Sequence, residues 1–144
     1  MDHPQPIQQL RAAAAMAAHN AYAPYSRFHV GAAVLLADGS IVTGCNVENA
    51  SYRLTVCAEQ NAIAYAVAAH GPHIRITAVA IANGDPAIAC QPCGACRQTI
   101  AEFADPDCRI FYPGTDGTVV ECTLADLLPA SFTSNSLRHD GDSA

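Results

Sequence analysis

The stretch FHVGAAVLLADGSIVTGC, residues 28–45, reads as two strands, Phe28 to Leu36 and Ile41 to Cys45, joined across Ala37-Asp38-Gly39-Ser40. An Asp-Gly pair between two β-prone apolar runs is a hairpin signal, because glycine takes the positive φ of such a turn at no steric cost. Downstream, Ile76 to Ala82, apolar but for Thr77, is a run suited to the middle of a sheet covered on both faces. Arg109 to Tyr112 and Val119 to Cys122 give two more strands around the turn-rich Pro113 to Thr118. That connection is far shorter than the dozen or so residues a parallel crossover needs, so the last two strands are expected to be antiparallel.

Helical segments alternate with these strands. Residues 7 to 20 are rich in Ala, Leu, Met and Gln, with Pro4 and Pro6 punctuating the entry and Pro24 the exit. Thr55 is placed to cap a helix to about Ala69, with Val56, Ile63, Ala66 and Val67 on one stripe and Gly71-Pro72 as the stop. A shorter helix is expected over Gly94 to Ala104, with Ile100 and Phe103 inward and Arg97, Gln98 and Glu102 outward. Thr123 caps a last turn to Leu128, ended by Pro129, and the aperiodic stretch Asn46 to Leu54 reads as loop. The order α, β, β, α, β, α, β, β, α predicts an α/β fold, a three-layer α/β/α sandwich around a mixed five-stranded sheet. One domain over residues 1–132 and a polar, loose tail over 133–144 are expected.

Composition narrows the function. Of 144 residues, 51% are hydrophobic and 14% charged, which excludes the disordered and collagen-like classes. A net charge of −6 offers no footprint for a nucleic acid or an anionic lipid surface, and a small uncharged or cationic ligand fits better. The Ala12 to Ala18 run is far short of the roughly 20 residues that span a bilayer, and Asp2 with the single cation Arg11 makes a poor secretory start. Seven cysteines, an odd number, then read as reduced thiols of a cytoplasmic protein.

Chemistry concentrates in Pro92-Cys93-Gly94-Ala95-Cys96, two thiols at the spacing that lets one helical turn grip one metal ion. Alone, the spacing also fits a redox pair. Cys57-Ala58-Glu59 opens a different helix, so two helix starts can bring thiolates to one zinc ion with both positive dipole ends facing the anionic cluster. Zinc deaminases follow this pattern, an x-x-E whose first residue ligates, then P-C-x-x-C, with three cysteines allowed as ligands. Three protein ligands leave a fourth position for water, and Glu59 is the nearby carboxylate that can move its proton. A solvated first-turn Glu is the plainer reading of Glu59. Cys90 offers a further thiol, and with Cys57, Cys93 and Cys96 it could close a four-sulfur structural site instead.

These motifs are joined by Gly44-Cys45-Asn46-Val47-Glu48-Asn49-Ala50-Ser51-Tyr52, and from Ala21-Tyr22-Ala23-Pro24-Tyr25-Ser26 to Leu127-Leu128-Pro129 the chain closely resembles the small homotetrameric cytidine deaminases. The resemblance implies one Zn²⁺ per subunit on Cys57, Cys93 and Cys96, and Glu59 as the proton shuttle. It further implies that Asn46 and Glu48 bond the ribose, that Phe28 packs against the base, and that Ala58 also contacts substrate. Tyr52 and Phe132 would reach into a neighbouring subunit's pocket, although both also fit ordinary core or interface aromatics. The implied reaction is hydrolytic deamination of cytidine and 2′-deoxycytidine to the uridine nucleosides and ammonia, in pyrimidine salvage. A free nucleoside substrate, a homotetramer and the cytoplasm complete that expectation, with no nucleic-acid or membrane partner. The rivals are a nucleic-acid deaminase, a deaminase of a cytosine-nucleoside antibiotic, and a noncatalytic zinc-stabilised binding module.

Three positions depart from the family pattern. Gln60 stands where Arg is usual, although three thiolates and one Zn²⁺ sum to −1 and need donors to draw charge from sulfur. Arg97 is expected to serve, helped by Arg53, which stands where Gly is usual and which also fits an exposed loop residue. His29 replaces the usual Pro beside Phe28, while His70 and His73 flank a helix end and build no rival site. Cys45, Cys108 and Cys122 fall in or beside strands, where a reduced Cys packs as a small apolar residue.

Overall fold

The computed structural model describes residues 4–85 and 87–137. Its elements are α1 (Gln5–Ala18), β1 (Val30–Leu36), β2 (Ile41–Cys45), α2 (Ala58–His70), β3 (Ile76–Asn83), α3 (Gly94–Phe103), β4 (Ala104–Pro113), β5 (Val119–Thr123) and α4 (Leu124–Leu127). Short 3₁₀ turns lie at Tyr52–Leu54, Thr115–Gly117 and Ser134–Leu137. The sheet runs β2-β1-β3-β4-β5. Its one parallel pair, β3 with β4, is the pair connected through α3, and every other neighbour is antiparallel, including β4 with β5.

Period-two alternation sorts the strands' side chains between two helical layers. On one face Ala33, Ala78, Ala80 and Phe111 meet Ile7, Leu10 and Ala14 of α1. On the other, Ala32, Val34, Val79, Ile81 and Ile110 meet Ala58, Ala62, Ile63 and Ala66 of α2 and Ile100 of α3. The expected sandwich is therefore present. Gly44 fixes how close α2 lies: a Cβ there would stand 2.3 Å from the Ala62 backbone nitrogen and 2.7 Å from the Ala58 carbonyl oxygen. Glycine at this position lets the first turns of α2 rest directly on β2.

Several boundaries differ from the sequence reading. Pro6 lies inside the first turn of α1, where its missing N–H has no helical partner to lose. β1 begins at Val30 because Asn46 holds Phe28 and Val30 from the side: its Oδ1 accepts from the Val30 N–H at 2.9 Å and its Nδ2 donates to the Phe28 carbonyl at 2.8 Å. Thr55 does not cap α2. Val47 and Val56 exchange both backbone hydrogen bonds at 3.0 Å, which keeps the chain extended past Thr55, and Cys57 becomes the N-cap. β4 starts at Ala104, five residues before the expected Arg109. The register jumps there from Ile76 opposite Ala104 to Ala78 opposite Arg109, so Asp105-Pro106-Asp107 form an exposed bulge beside β3. Thr123 does cap α4, in a reciprocal capping box with Asp126.

Candidate active site

Two helix starts meet at a cluster of sulfur. Cys57 caps α2 and Cys93 caps α3, each with extended backbone, and Cys96 sits buried in the first turn of α3. Their three sulfurs lie within 4.8 Å of one another, with Cys57 Sγ 3.9 Å from Cys93 Sγ and Cys93 Sγ 3.3 Å from Cys96 Sγ. Thiols this close, at the positive ends of two helices, are suited to a soft divalent cation, and as thiolates they match the three-ligand sites of catalytic zinc. The Cys96 backbone N–H points to Cys93 Sγ at 3.4 Å, one donor that draws charge from sulfur. The Cys57 thiol is drawn down to about 7, mainly by a hydrogen bond from the Cys96 thiol, whose own titration is pushed up by the same bond.

Glu59 follows Cys57 by two residues and is buried, 4% exposed. Burial raises its carboxyl above the ordinary range, so the group is poised to hold a proton rather than to sit solvated on a first turn. Cys90 stands outside the three-sulfur cluster: its N–H donates to the Pro113 carbonyl at 2.9 Å, and burial pushes its thiol up to about 12. The closed four-sulfur arrangement is not assembled among the described residues. Burial likewise raises Cys108 to about 12, as expected of a packed thiol.

The segment before β1 carries Phe28 and is built by residues after β2. Glu48 accepts from the backbone N–H groups of Tyr25 and Ser26 at 2.9 and 3.1 Å and from the Ser26 hydroxyl. Ser26 Oγ in turn accepts from the Phe28 N–H at 3.0 Å, and Arg27 between them takes a left-handed φ of 59°. Ser26 lines both a cleft of about 410 Å³ that includes Phe28 and one of about 330 Å³ that includes Glu48 and Tyr52. Sequence reading missed this work of Ser26, although Ser26 lies within a stretch that carries the family resemblance.

The remaining expected residues fall in four places. Ala58 is buried at the head of α2 beside Cys57. Tyr52 and Phe132 project from the chain, 79% and 60% exposed, so neither is a core aromatic. Arg97 is not outward: it is half-buried and spends Nε on the Pro92 carbonyl at 2.8 Å and Nη1 on the Leu127 carbonyl at 3.0 Å. Its described hydrogen bonds thus steady the turn before Cys93 rather than a sulfur. Arg53 lies on the exposed 3₁₀ turn beside Tyr52.

Residues 4–112 match the family described as the cytidine and deoxycytidylate deaminase zinc-binding region. The chain belongs to this deaminase family. Among relatives in the family, a cytidine deaminase of Halalkalibacterium halodurans is 42% identical over 130 residues, covering 90% of this chain and 96% of its own. The crystal structure of a cytidine deaminase from Burkholderia pseudomallei superposes with a TM-score of 0.78 at 41% identity, covering 92% of this deaminase-family chain and all (100%) of that one. A blasticidin-S deaminase of Bacillus cereus is 35% identical over 116 residues, 76% of this chain and 81% of its own. No described helix is long and apolar enough to cross a membrane.

Proposed function

We propose that this protein is a zinc-dependent cytidine deaminase that hydrolyses cytidine, and 2′-deoxycytidine, to the uridine nucleoside and ammonia. The observation that carries this reading is a buried Glu59 two residues from Cys57, one of three clustered thiols. Cys57, Cys93 and Cys96 would hold one zinc ion, and the proximity of their sulfurs supports that donor set. When bound, zinc would supply Lewis acidity that makes water at the site easier to deprotonate.

The chain's own residues do the rest. Glu59 takes a proton from the attacking water as oxygen adds to C4 of the cytosine ring and delivers it to N3; it then takes the remaining proton of the new C4 hydroxyl as the carbonyl forms and passes it to the amine, so that the C4–N bond breaks and ammonia leaves. A carboxyl raised by burial serves both steps, since it must be base and then acid. Phe28 packs on the base, and Asn46 and Glu48, which fix the Phe28 segment, bond the ribose. Ala58, at the head of α2, also contacts the substrate.

The pocket is completed by a second copy of the chain in a homotetramer, with Tyr52 and Phe132 entering a neighbour's site; the exposure of both rings supports this. Seven unpaired cysteines support a reducing compartment, the cytoplasm. Arg97 steadies the turn that presents Cys93, which leaves relief of the cluster's charge to the helix starts and the Cys96 N–H.

The blasticidin-S deaminase relative makes antibiotic deamination the one competing reading. Ultraviolet absorbance of the zinc-loaded protein separates them, using cytidine, 2′-deoxycytidine and blasticidin S singly and in competition. Conversion of the two nucleosides is expected; conversion of blasticidin S alone would replace this reading. Light scattering on the same sample is expected to give four chains per particle, and a monomer would contradict the shared pocket.

A further inference from the structure

Phe132 presents an unusual arrangement: a large apolar ring left 60% exposed, on backbone that is fastened at close intervals. Upstream, Leu127 is held by the Arg97 guanidinium through its carbonyl, and the chain then reverses at Ala130, whose φ of 51° is left-handed. Downstream, the Ser136 N–H donates to the Thr133 carbonyl at 2.9 Å as the 3₁₀ turn begins. At Phe132 itself, Gln98 Nε2 donates to the carbonyl oxygen at 2.7 Å. A left-handed alanine costs energy and persists only where neighbouring contacts fix it. An exposed ring supplies little burial of its own to do so; Leu127 and Leu128 pack on the core upstream, and at Phe132 itself the tether is the amide from α3.

Those tethers come from consecutive residues, Arg97 and Gln98, directly after Cys96 in the chain. The turn of α3 that presents two thiols therefore also anchors the C-terminal segment. We propose that Gln98 is a positioning residue: its side-chain amide fixes the peptide of Phe132 and so sets where that ring meets the nucleoside in a neighbouring copy's pocket. The inference rests on the proposed role of Phe132 in the shared site. Gln98 touches neither substrate nor metal in this scheme. Its contribution is to hold the ring ready before binding, which lowers the ordering cost that the complex would otherwise bear.

The test uses zinc-loaded protein and a small set of variants: Phe132→Ala, Gln98→Met, which keeps length and removes the donor, their double mutant, and Phe132→Trp with and without Gln98→Met. The chain has no tryptophan of its own, so the indole that Phe132→Trp introduces reports alone. Loss of one net hydrogen bond predicts a rise in KM of about fivefold for Gln98→Met, with kcat and zinc content unchanged. Phe132→Ala is expected to raise KM further, and the double mutant to match Phe132→Ala, because the two act through one ring. Fluorescence anisotropy of the introduced indole is expected to fall when Gln98→Met is added.

A KM rise in Phe132→Ala with none in Gln98→Met would overturn the positioning role and leave the shared pocket standing. Unchanged KM in Phe132→Ala would overturn the role of Phe132 and the inference with it. Additive effects in the double mutant, or an indole anisotropy unchanged by Gln98→Met, would also overturn it.

Discussion

Asn46 donates from Nδ2 to the Phe28 carbonyl at 2.8 Å while its Oδ1 receives the Val30 N–H at 2.9 Å. One side chain thus holds both ends of the step between the segment that carries Phe28 and the first strand. With both ends of this amide engaged on the backbone, Asn46 shapes the base side of the pocket even before it meets a ribose. Asn46→Ala removes two hydrogen bonds of about 1 kcal/mol each, and a fall of about 30-fold in kcat/KM is expected. Steady-state kinetics with cytidine checks it; an unchanged kcat/KM would mean both that Phe28 is placed by other contacts and that Asn46 does not bond the ribose.

Glu48 gives the fold a pH dependence of known sign. The Ser26 hydroxyl, then the backbone N–H groups of Ser26 and Tyr25, hold its carboxyl below the ordinary range. A depressed carboxyl adds stability above its unfolded value and loses it as pH falls through the folded one. Glu48→Gln should therefore lower Tm at neutral pH, and the gap from wild type should close as pH falls from about 5 to about 3. Thermal melts across that range measure it, and a gap independent of pH would contradict the charge-assisted bonds.

The three-sulfur cluster and the separate Cys90 predict opposite behaviour for two similar substitutions. Cys93→Ser should lose most bound zinc, and chelation should lower the Tm of wild type, because a cation that binds only the folded cluster stabilises it. Cys90→Ser should keep one zinc per chain and full turnover. Metal analysis by mass spectrometry decides between them, and loss of zinc from Cys90→Ser would point to the four-sulfur arrangement.

What could be read from the chain was whatever is local. The hairpin announced itself through Asp38-Gly39, the central strand through the apolar run Ala78 to Ala82, and the thiol cluster through the spacing of Cys93 and Cys96. The start of α2 escaped because a bridge between Val47 and Val56 overrides the capping preference of Thr55. The first half of β4 is hidden because a bulge at Asp105-Pro106-Asp107 places exposed polar residues and a proline inside the strand. The work of Ser26 and of Gln98 depends on partners 22 and 34 residues away, and no local pattern encodes such pairs. Arg97 looked like a surface residue by helical periodicity, yet the Leu127 carbonyl draws it under the C-terminal segment.

The central claim is that Glu59 moves protons beside a zinc site built from Cys57, Cys93 and Cys96. Wild type and Glu59→Gln, each purified with zinc and assayed for metal, are to be compared for conversion of cytidine to uridine by ultraviolet absorbance. Equal zinc with a rate lower by about 10²- to 10⁴-fold in Glu59→Gln is the expected result. Equal zinc with turnover retained would contradict the account.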